Sequence, residues 1–381
     1  MKAGKIILSV ITLTTLFFIQ SCQKGIKTEP LVEELQSRPP PPPPPTGDTK
    51  TPIQVYGAWH AGNDLCTWTT VRTVDEFDSK NHWLIDRGNG QPSVNIVILS
   101  FVNPLKLLNK TTDAGTLNGI PRGMTLDIVN YFKSHGIRVM LSIGGITYTD
   151  FWNTALSTNA AQLGSNAAEV AQQLGVGIEI DYEENSNPNL TGLQAFINAY
   201  RAQLPYDATG NNHAARLTID LAAGDRWLID ICKKATADWL TTSNPVLDYA
   251  NAMVPARQPS TSDAIANWQE HVDGKPQYAP PIPPLAPAKF TGGLYLVGSR
   301  PIAECTSFSS SLQNTTSSFV QSVLSKVTGG TPGMLGYMFW AAECSGTRSV
   351  CTTPPNSCQG GMGTGASFFN IPIPMTPLRQ Q

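Results

Sequence analysis

Residues 176 to 183 read Val-Gly-Ile-Glu-Ile-Asp-Tyr-Glu, and from Ile178 onward apolar and acidic side chains alternate. This period of two predicts a β-strand, because successive side chains of a strand point to opposite faces. Glu179, Asp181 and Glu183 would then share one face. Burying a carboxylate is costly unless the group is paired or protonated. The row therefore indicates a site at which protons are shared, with a metal site or a structural carboxylate cluster as the alternatives.

The predicted fold follows from seven further apolar runs that alternate with helical patterns. Near-continuous apolar strands are typical of a parallel sheet covered on both faces. Eight such strands with intervening helices in residues 52–381 predict an α/β fold, the (β/α)8 TIM barrel. The predicted strands are Ile53–Ala58, Val94–Val102, Arg138–Gly144, Gly177–Asp181, Leu217–Ala222, Tyr249–Val254, Gly292–Val297 and Met334–Trp340. The predicted helices are Met124–Ser134, Ala160–Leu174, Leu193–Leu204, Trp227–Leu240, Ser262–His271 and Thr315–Val327.

The active site of a (β/α)8 barrel lies at the C-terminal ends of its strands, and Glu183 falls at the C-terminal end of the fourth strand. Residues two apart on a strand are separated by about 6.5–7 Å. Asp181 and Glu183 would thus stand on one side of a substrate, as an acid and its helper. Substrate-assisted glycoside hydrolysis has this arrangement, because the substrate's own acetamido oxygen attacks the anomeric carbon. Neighbouring like charges raise carboxyl pKa values, so the outermost acid can remain protonated near neutral pH.

The N-terminus has the pattern of a secretory signal. Lys2 and Lys5 precede the uncharged run Ile6–Ile19, and Gln20-Ser21-Cys22 follows. The cysteine at this point resembles a bacterial lipobox, which implies a signal peptide over residues 1–22 and lipidation of Cys22. A plain signal peptide or an N-terminal membrane anchor is the alternative. Residues 23–51 include seven consecutive prolines and predict a semi-rigid tether, with a disordered tail that has no spacing role as the alternative. We therefore expect an exported protein of the cell envelope, held at the outer membrane or cell surface by its lipid alone.

The composition narrows the classes of partner. The net charge is -2 and charged residues make up 14% of the chain, which provides no basic surface for nucleic acid. We find no glycine-rich phosphate loop and no metal-ligand motif in the sequence, so neither a cofactor nor a metal is expected.

Four motifs of the sequence resemble those of glycoside hydrolase family 18, the chitinases and related endo-β-N-acetylglucosaminidases. Gly177–Glu183 resembles the family's DxxDxDxE signature, and Ser142-Ile143-Gly144-Gly145 resembles its SxGG motif. Gly336–Trp340 is similar to the last strand, where the family carries a tryptophan under the sugar. Met253 resembles the sixth-strand methionine. The resemblance spans roughly residues 50 to 345 and implies a carbohydrate substrate that contains N-acetylglucosamine.

The resemblance also implies roles for individual residues. Glu183 would be the general acid and base, Asp181 would orient the acetamido group, and Glu179 would share a proton with Asp181. Trp340 would stack under the sugar at the cleavage point. The other residues assigned to substrate binding are Ser142, Gly144, Gly145, Met253 and Tyr182.

The chain departs from the family pattern at three positions. Val176 replaces the first aspartate of the signature, and Glu179 is one methylene longer than the usual aspartate. The tyrosine expected two residues after Met253 is replaced by Pro255, with Tyr295 or Arg257 as candidate substitutes. The sequence predicts a chitinase-like hydrolase that acts with retention. Two alternatives are an endo-β-N-acetylglucosaminidase acting on the chitobiose core of N-glycans and a non-catalytic protein that binds chito-oligosaccharides.

Overall fold

The computed structural model describes residues 50–60, 68–86, 90–92, 94–222, 227–253, 261–295 and 310–340. The chain separates into two units, Met1–Gly47 and Asp48–Gln381, and the described residues belong to the second unit. The signal segment with Cys22, and all but the last two residues of the tether, lie outside the described residues. Among those residues, we find no helix that combines the length and the apolar character needed to cross a membrane.

Eight parallel strands close into a barrel. The first strand pairs with the second on one side and with the eighth on the other. The strands are β1 Val55–His60, β2 Ile96–Val102, β3 Arg138–Gly144, β4 Gly177–Asp181, β5 Leu217–Ala222, β6 Ala250–Met253, β7 Phe290–Tyr295 and β8 Gly336–Trp340. The predicted (β/α)8 fold is confirmed, and three of its strands, β3, β4 and β5, have the predicted bounds.

Helices lie between the strands in chain order. They are α1 Val74–Asn81, α2 Pro104–Leu108, α3 Leu126–Ser134, α4 Thr149–Leu174, α5 Leu190–Gln203, α6 Ile229–Lys234, α7 Thr261–Asp273 and α8 Ser310–Ser322. Single helical turns are found at His82–Leu84, Ile146–Tyr148, His213–Ala215 and Pro287–Lys289, and α6 continues into a π-helical turn, Ala235–Trp239. A short hairpin, Thr116–Leu117 and Ile120–Pro121, follows α2.

The predicted helix Ala160–Leu174 was too short, because α4 already begins at Thr149. The helix is interrupted at Asn159, whose backbone has a φ of -162° and a ψ of 78°. The Asn159 side chain accepts a hydrogen bond from the backbone N–H of Gln162 and so caps the second half. The sequence pattern therefore revealed only the part of the helix that follows this local cap.

The barrel separates two apolar regions. The larger packs between the strands and the surrounding helices, and it includes Ile178 and Ile180 of β4. The smaller region is a separate cluster formed by alternate residues of five strands and their flanks. Its members are Val55, Trp59, Ile96, Ile98, Met140, Tyr249, Leu335 and Met338, with Trp340 packed against them. Because side chains alternate between the two faces of a strand, this cluster fills the barrel interior. The acidic side chains of β4 share that interior.

Candidate active site

The acids of β4 are carried into the barrel interior by strand alternation. In the sheet, Glu179 lies beside Ser142 of β3 and Thr218 of β5, and Asp181 lies beside Gly144. Glu179 is 0% exposed and Asp181 is 4% exposed. Groups this deeply buried cannot all be ionised, because no water is present to stabilise the charges.

Glu179 is the innermost acid, and both of its oxygens accept hydrogen bonds. Trp59 Nε1 donates to Oε1 at 2.9 Å, and Asn251 Nδ2 donates to Oε2 at 2.5 Å. Thr291 Oγ1 in turn donates to Asn251 Oδ1 at 2.5 Å, which fixes the orientation of the amide. Burial raises the pKa of Glu179, whereas these donors act in the opposite direction by stabilising the carboxylate.

Asp181 lies one step nearer the mouth of the barrel. Its Oδ1 has no hydrogen-bond partner among the described residues. Burial raises the pKa of Asp181 well above its ordinary value, and the charges of Glu183 and Glu179 add to that rise. Burial and the neighbouring charges therefore favour the protonated form of Asp181, and its Oδ1 is available to a further group.

Glu183 lies two residues beyond the end of β4 and is partly buried. Burial raises its pKa to about 7, and the backbone N–H of Ile146 acts in the opposite direction. A carboxyl group with this pKa is about half protonated at neutral pH. It can therefore donate a proton and later accept one, which general acid–base catalysis requires.

Two glycines bring the end of β3 against the end of β4. Gly144 has a φ of +126°, and a Cβ added there would lie 1.8 Å from the carbonyl oxygen of Asp181. Gly145 has a φ of +92°, and its backbone N–H donates to the same oxygen at 3.0 Å. Only glycine permits both the backbone conformation and this close approach. The structure thus gives both glycines a backbone role in positioning Asp181.

Two of the residues assigned to substrate binding have buried side chains. Ser142 is 0% exposed beside Glu179, whose pKa its hydroxyl helps to lower. Tyr182 points to the opposite side of the chain from the acids. Its hydroxyl donates to Asn153 Oδ1 at 2.5 Å and accepts from the backbone N–H of Asn189 at 3.0 Å. Contact of Ser142 and Tyr182 with a sugar stays a prediction; both side chains are buried, and hydrogen bonds occupy the Tyr182 hydroxyl.

Trp340 and Phe101 form an aromatic wall beside the acids. The Trp340 ring is partly exposed at the end of β8, and its centroid lies 5.7 Å from that of Phe101 at an interplanar angle of 30°. Trp59 lies 6.3 Å from Trp340, so the residue that holds Glu179 also packs against the wall. A partly exposed indole face suits the apolar face of a pyranose ring.

A cavity of about 640 Å³ opens next to this wall and shares Phe101 with it. Its lining includes Tyr148, Asn103 and Lys106, and Lys106 is paired with Asp113 at 3.1 Å. A volume of this size can hold a small organic ligand. The residues that line it come from the end of β2 and from the segments after β1, β2 and β3, and the acids of β4 are not among them.

Met253 is the last residue of β6, and it packs partly buried against the larger apolar region. Its neighbour Asn251, two residues earlier, is the β6 side chain that reaches the acids. Pro255 and Arg257 lie outside the described residues, as does the side chain of Tyr295. The absent tyrosine therefore has no identified substitute.

Sequence reasoning missed a fourth buried acid, Asp220 on β5. It is 2% exposed and lies beside Asn251 of β6 in the sheet. On the other side, Ile219 of β5 pairs with Ile180 of β4, and Asp220 is the next residue along β5. Burial raises the pKa of Asp220 well above its ordinary value, and the charges of Glu179 and Asp181 add to the effect. A single acid in the otherwise uncharged run Leu-Thr-Ile-Asp-Leu-Ala was the available signal.

Known proteins resemble the chain only at the level of three-dimensional structure. No protein-family profile and no curated protein matches it. A GH18 chitinase from Pseudoalteromonas aurantia matches at 14% identity over 68% of this chain and 89% of that one, with a TM-score of 0.46. A chitinase from Bacteroides thetaiotaomicron matches at 14% identity over 76% and 89%, with a TM-score of 0.44. A class V chitinase from Nicotiana tobaccum matches at 14% identity over 84% and 99%, with a TM-score of 0.42. At these values the resemblance establishes neither the family nor the function of the chain.

The chemistry of the site therefore has to be judged from its own residues. Within the described ranges, no group of three or more His, Cys, Asp or Glu side chains has the geometry to hold a metal ion. The site provides three acids in different surroundings: Glu179 is fixed by donors, the pKa of Asp181 is raised well above its ordinary value, and Glu183 can change its protonation near pH 7. Such a set can move protons between a substrate and the barrel interior.

Proposed function

We propose that this protein is a glycoside hydrolase that cleaves β-1,4 bonds between N-acetylglucosamine residues, as a chitinase does, with retention of anomeric configuration. The observation that carries the proposal is Glu183, a partly buried acid at the mouth of the barrel with a pKa of about 7. Asp181 beneath it, with its raised pKa, and the Trp340 wall beside it supply the other two requirements, a helper for the acetamido group and a face for the sugar.

The proposed reaction has two steps. In the first, Glu183 donates its proton to the glycosidic oxygen while the acetamido carbonyl oxygen of the substrate attacks the anomeric carbon and the glycosidic bond breaks. Asp181 passes its proton inward to ionised Glu179 and accepts the acetamido N–H, which stabilises the oxazolinium ion. In the second, ionised Glu183 takes a proton from water, the water oxygen attacks the anomeric carbon, and the ring of the oxazolinium opens.

The placement of Asp181 and Glu183 supports this form of catalysis over direct attack by an enzyme carboxylate. Asp181 and Glu183 come from one face of one chain segment, so both approach the substrate from the same side. A retaining enzyme with its own nucleophile needs carboxyls on both sides of the scissile bond, about 5–5.5 Å apart. The acetamido group of the substrate supplies the missing nucleophile.

We further propose that the protein is exported and anchored through a lipid on Cys22, with residues 23–51 as a spacer. Metabolic labelling with a palmitate analogue tests the anchor. Labelled wild-type protein and an unlabelled Cys22→Ser variant are the expected result, and equal labelling of both would refute it.

Activity assays on matched variants test the proposed hydrolase. The wild type, Glu183→Gln and Glu184→Gln are incubated with chitotetraose and, separately, with an N-glycosylated protein. Glu184 is a suitable control because it adjoins Glu183 but binds Asn153 Nδ2 at 3.0 Å and the backbone N–H of Ser186 at 2.7 Å. We expect Glu183→Gln to lose about 10²–10⁴-fold in rate, as for loss of a general acid, and Glu184→Gln to keep wild-type activity.

The outcomes separate the candidate functions. Products of the β-anomer on proton NMR support the retaining mechanism, and α-anomers would exclude it. Cleavage of the glycoprotein without cleavage of chitotetraose would replace the chitinase proposal by the endo-β-N-acetylglucosaminidase alternative. Equal behaviour of the wild type and Glu183→Gln on both substrates would sink the hydrolase proposal.

A further inference from the structure

We propose that Asp220 is a positioning residue of the acidic site, whose protonated carboxyl donates a hydrogen bond to Glu179 and holds Glu179 in its ionised form. Asp220 belongs to β5, and no motif of the sequence pointed to it. The kinetic part of the test rests on the hydrolase function proposed above.

The first support is the placement of Asp220 in the sheet. Ile180 of β4 pairs with Ile219 of β5, so the next residues, Asp181 and Asp220, emerge side by side into the barrel. On its other side Asp220 lies beside Asn251, which binds Glu179. Asp220 therefore stands within the ring of side chains that surrounds Glu179.

The second support is the chemistry of the hydrogen bonds to Glu179. The Trp59 indole N–H and the Asn251 amide N–H can only donate, and they occupy both Glu179 oxygens. The Asp220 carboxyl is also within hydrogen-bonding reach of Glu179. Two carboxyl groups can bond only if one carries the proton. Because the two N–H donors stabilise the ionised form of Glu179, we place that proton on Asp220.

The third support is the burial of Asp220. Its Oδ1 has no hydrogen-bond partner among the described residues, although the side chain is 2% exposed. The acids that face it are Glu179, Asp181 and Glu183, and Asn251 on β6 is uncharged. A second negative charge at this position would be unscreened beside Glu179, so the neutral form is the stable one.

This arrangement gives Asp220 a defined effect on the reaction. In the mechanism above, Asp181 releases its proton inward, which requires Glu179 to be ionised beforehand. A hydrogen bond from Asp220 lowers the pH at which Glu179 first ionises. Asp220 thus acts through Glu179 without touching the substrate.

Three variants test the role. Asp220→Ala removes the donor, and Asp220→Asn keeps an N–H donor but cannot ionise. Thr218→Val is the matched control, because Thr218 lies two residues earlier on the same face of β5 and its Oγ1 has no hydrogen-bond partner among the described residues. We expect Asp220→Ala to shift the acid limb of the kcat/KM profile to higher pH by about 1–2 units, the effect of one hydrogen bond to a charged group. The Asp220→Asn and Thr218→Val profiles should keep the wild-type acid limb.

A measurement without substrate separates this inference from the hydrolase proposal. Carboxyl carbon NMR of the free, isotope-labelled protein follows the Glu179 titration directly, and we expect the same upward shift in Asp220→Ala alone. If the shift occurs in a protein that hydrolyses no glycan, the proton-holding role stands and the proposed function fails. An unshifted Glu179 titration in Asp220→Ala overturns the role, and an equal shift in Asp220→Asn overturns it as well.

Discussion

Replacing Glu183 by glutamine should make the folded protein more stable above neutral pH. Burial raises the pKa of Glu183 from its ordinary value of 4.5 to about 7. A group with a raised pKa in the folded state lowers stability as pH rises from the unfolded to the folded pKa, because the unfolded chain releases the proton more readily. The wild type therefore loses stability between about pH 4.5 and pH 7, and glutamine removes this loss.

The magnitude follows from the size of the rise. A tenfold change in proton affinity is worth about 1.4 kcal/mol, so a rise from 4.5 to about 7 corresponds to about 3 kcal/mol. We expect Glu183→Gln to exceed the wild type in free energy of unfolding by about that amount at pH 8, and by almost nothing at pH 4. Urea unfolding followed by tryptophan fluorescence, at pH 4, 6 and 8, measures the difference.

Glu184→Gln provides a control of opposite sign. The hydrogen bond from Asn153 lowers the pKa of Glu184, so this carboxylate stabilises the fold above its unfolded pKa. Its replacement should reduce stability at pH 8 and leave it unchanged well below pH 4. Equal stability of Glu183→Gln and the wild type at pH 8, or an equal gain at pH 4 and pH 8, would refute the assignment of Glu183 as a buried acid.

Three further predictions concern the rate, the backbone and the aromatic wall. Hydrolysis of chitotetraose should require protonated Glu183, so kcat/KM should fall about fivefold from pH 7 to pH 8 and by a further factor of about ten by pH 9; a flat profile to pH 9 would contradict this. Gly144→Ala should lower the free energy of unfolding by about 3 kcal/mol or more, because its Cβ would overlap the carbonyl of Asp181 at a positive φ. Gly329→Ala, at a φ of +73° with open space around it, should cost only about 1 kcal/mol when both variants are measured by urea unfolding, and equal losses would contradict the proposed clash. Trp340→Ala should reduce kcat/KM about ten- to thirtyfold through lost contact with the sugar, whereas Trp340→Phe should retain most of it; identical kinetics of Trp340→Ala and wild type would remove Trp340 from the site.

The barrel and the orientation of its acidic strand were predictable because both depend on local periodicity. A strand with apolar residues on one face and acids on the other can bury its apolar face against the helices only if its acids point into the barrel. The bounds of β4 matched for that reason, and those of β3 and β5 matched because each is a nearly continuous apolar run. The first half of α4 was not recognised, because the break at Asn159 and the polar residues around it weaken the helical pattern.

The residues that surround Glu179 were harder to predict, because they come from distant parts of the chain. Trp59 is 120 positions away in the sequence and Asn251 is 72 positions away. Neither has a sequence signal that differs from that of an ordinary core residue. The burial of Ser142 and Tyr182 was hard to predict for a related reason, since proximity to a motif does not reveal whether a side chain faces the mouth or the packed interior.

The sequence by itself determined that three carboxyl groups stand on one face of a central strand and that Glu183 is the outermost. Only the tertiary structure decided which of them is charged. The pKa of a carboxyl depends on burial and on the donors and charges around it, and these are supplied by strands that meet only when the barrel closes. Asp220 is one example, because the register of β5 against β4 places it beside Asp181.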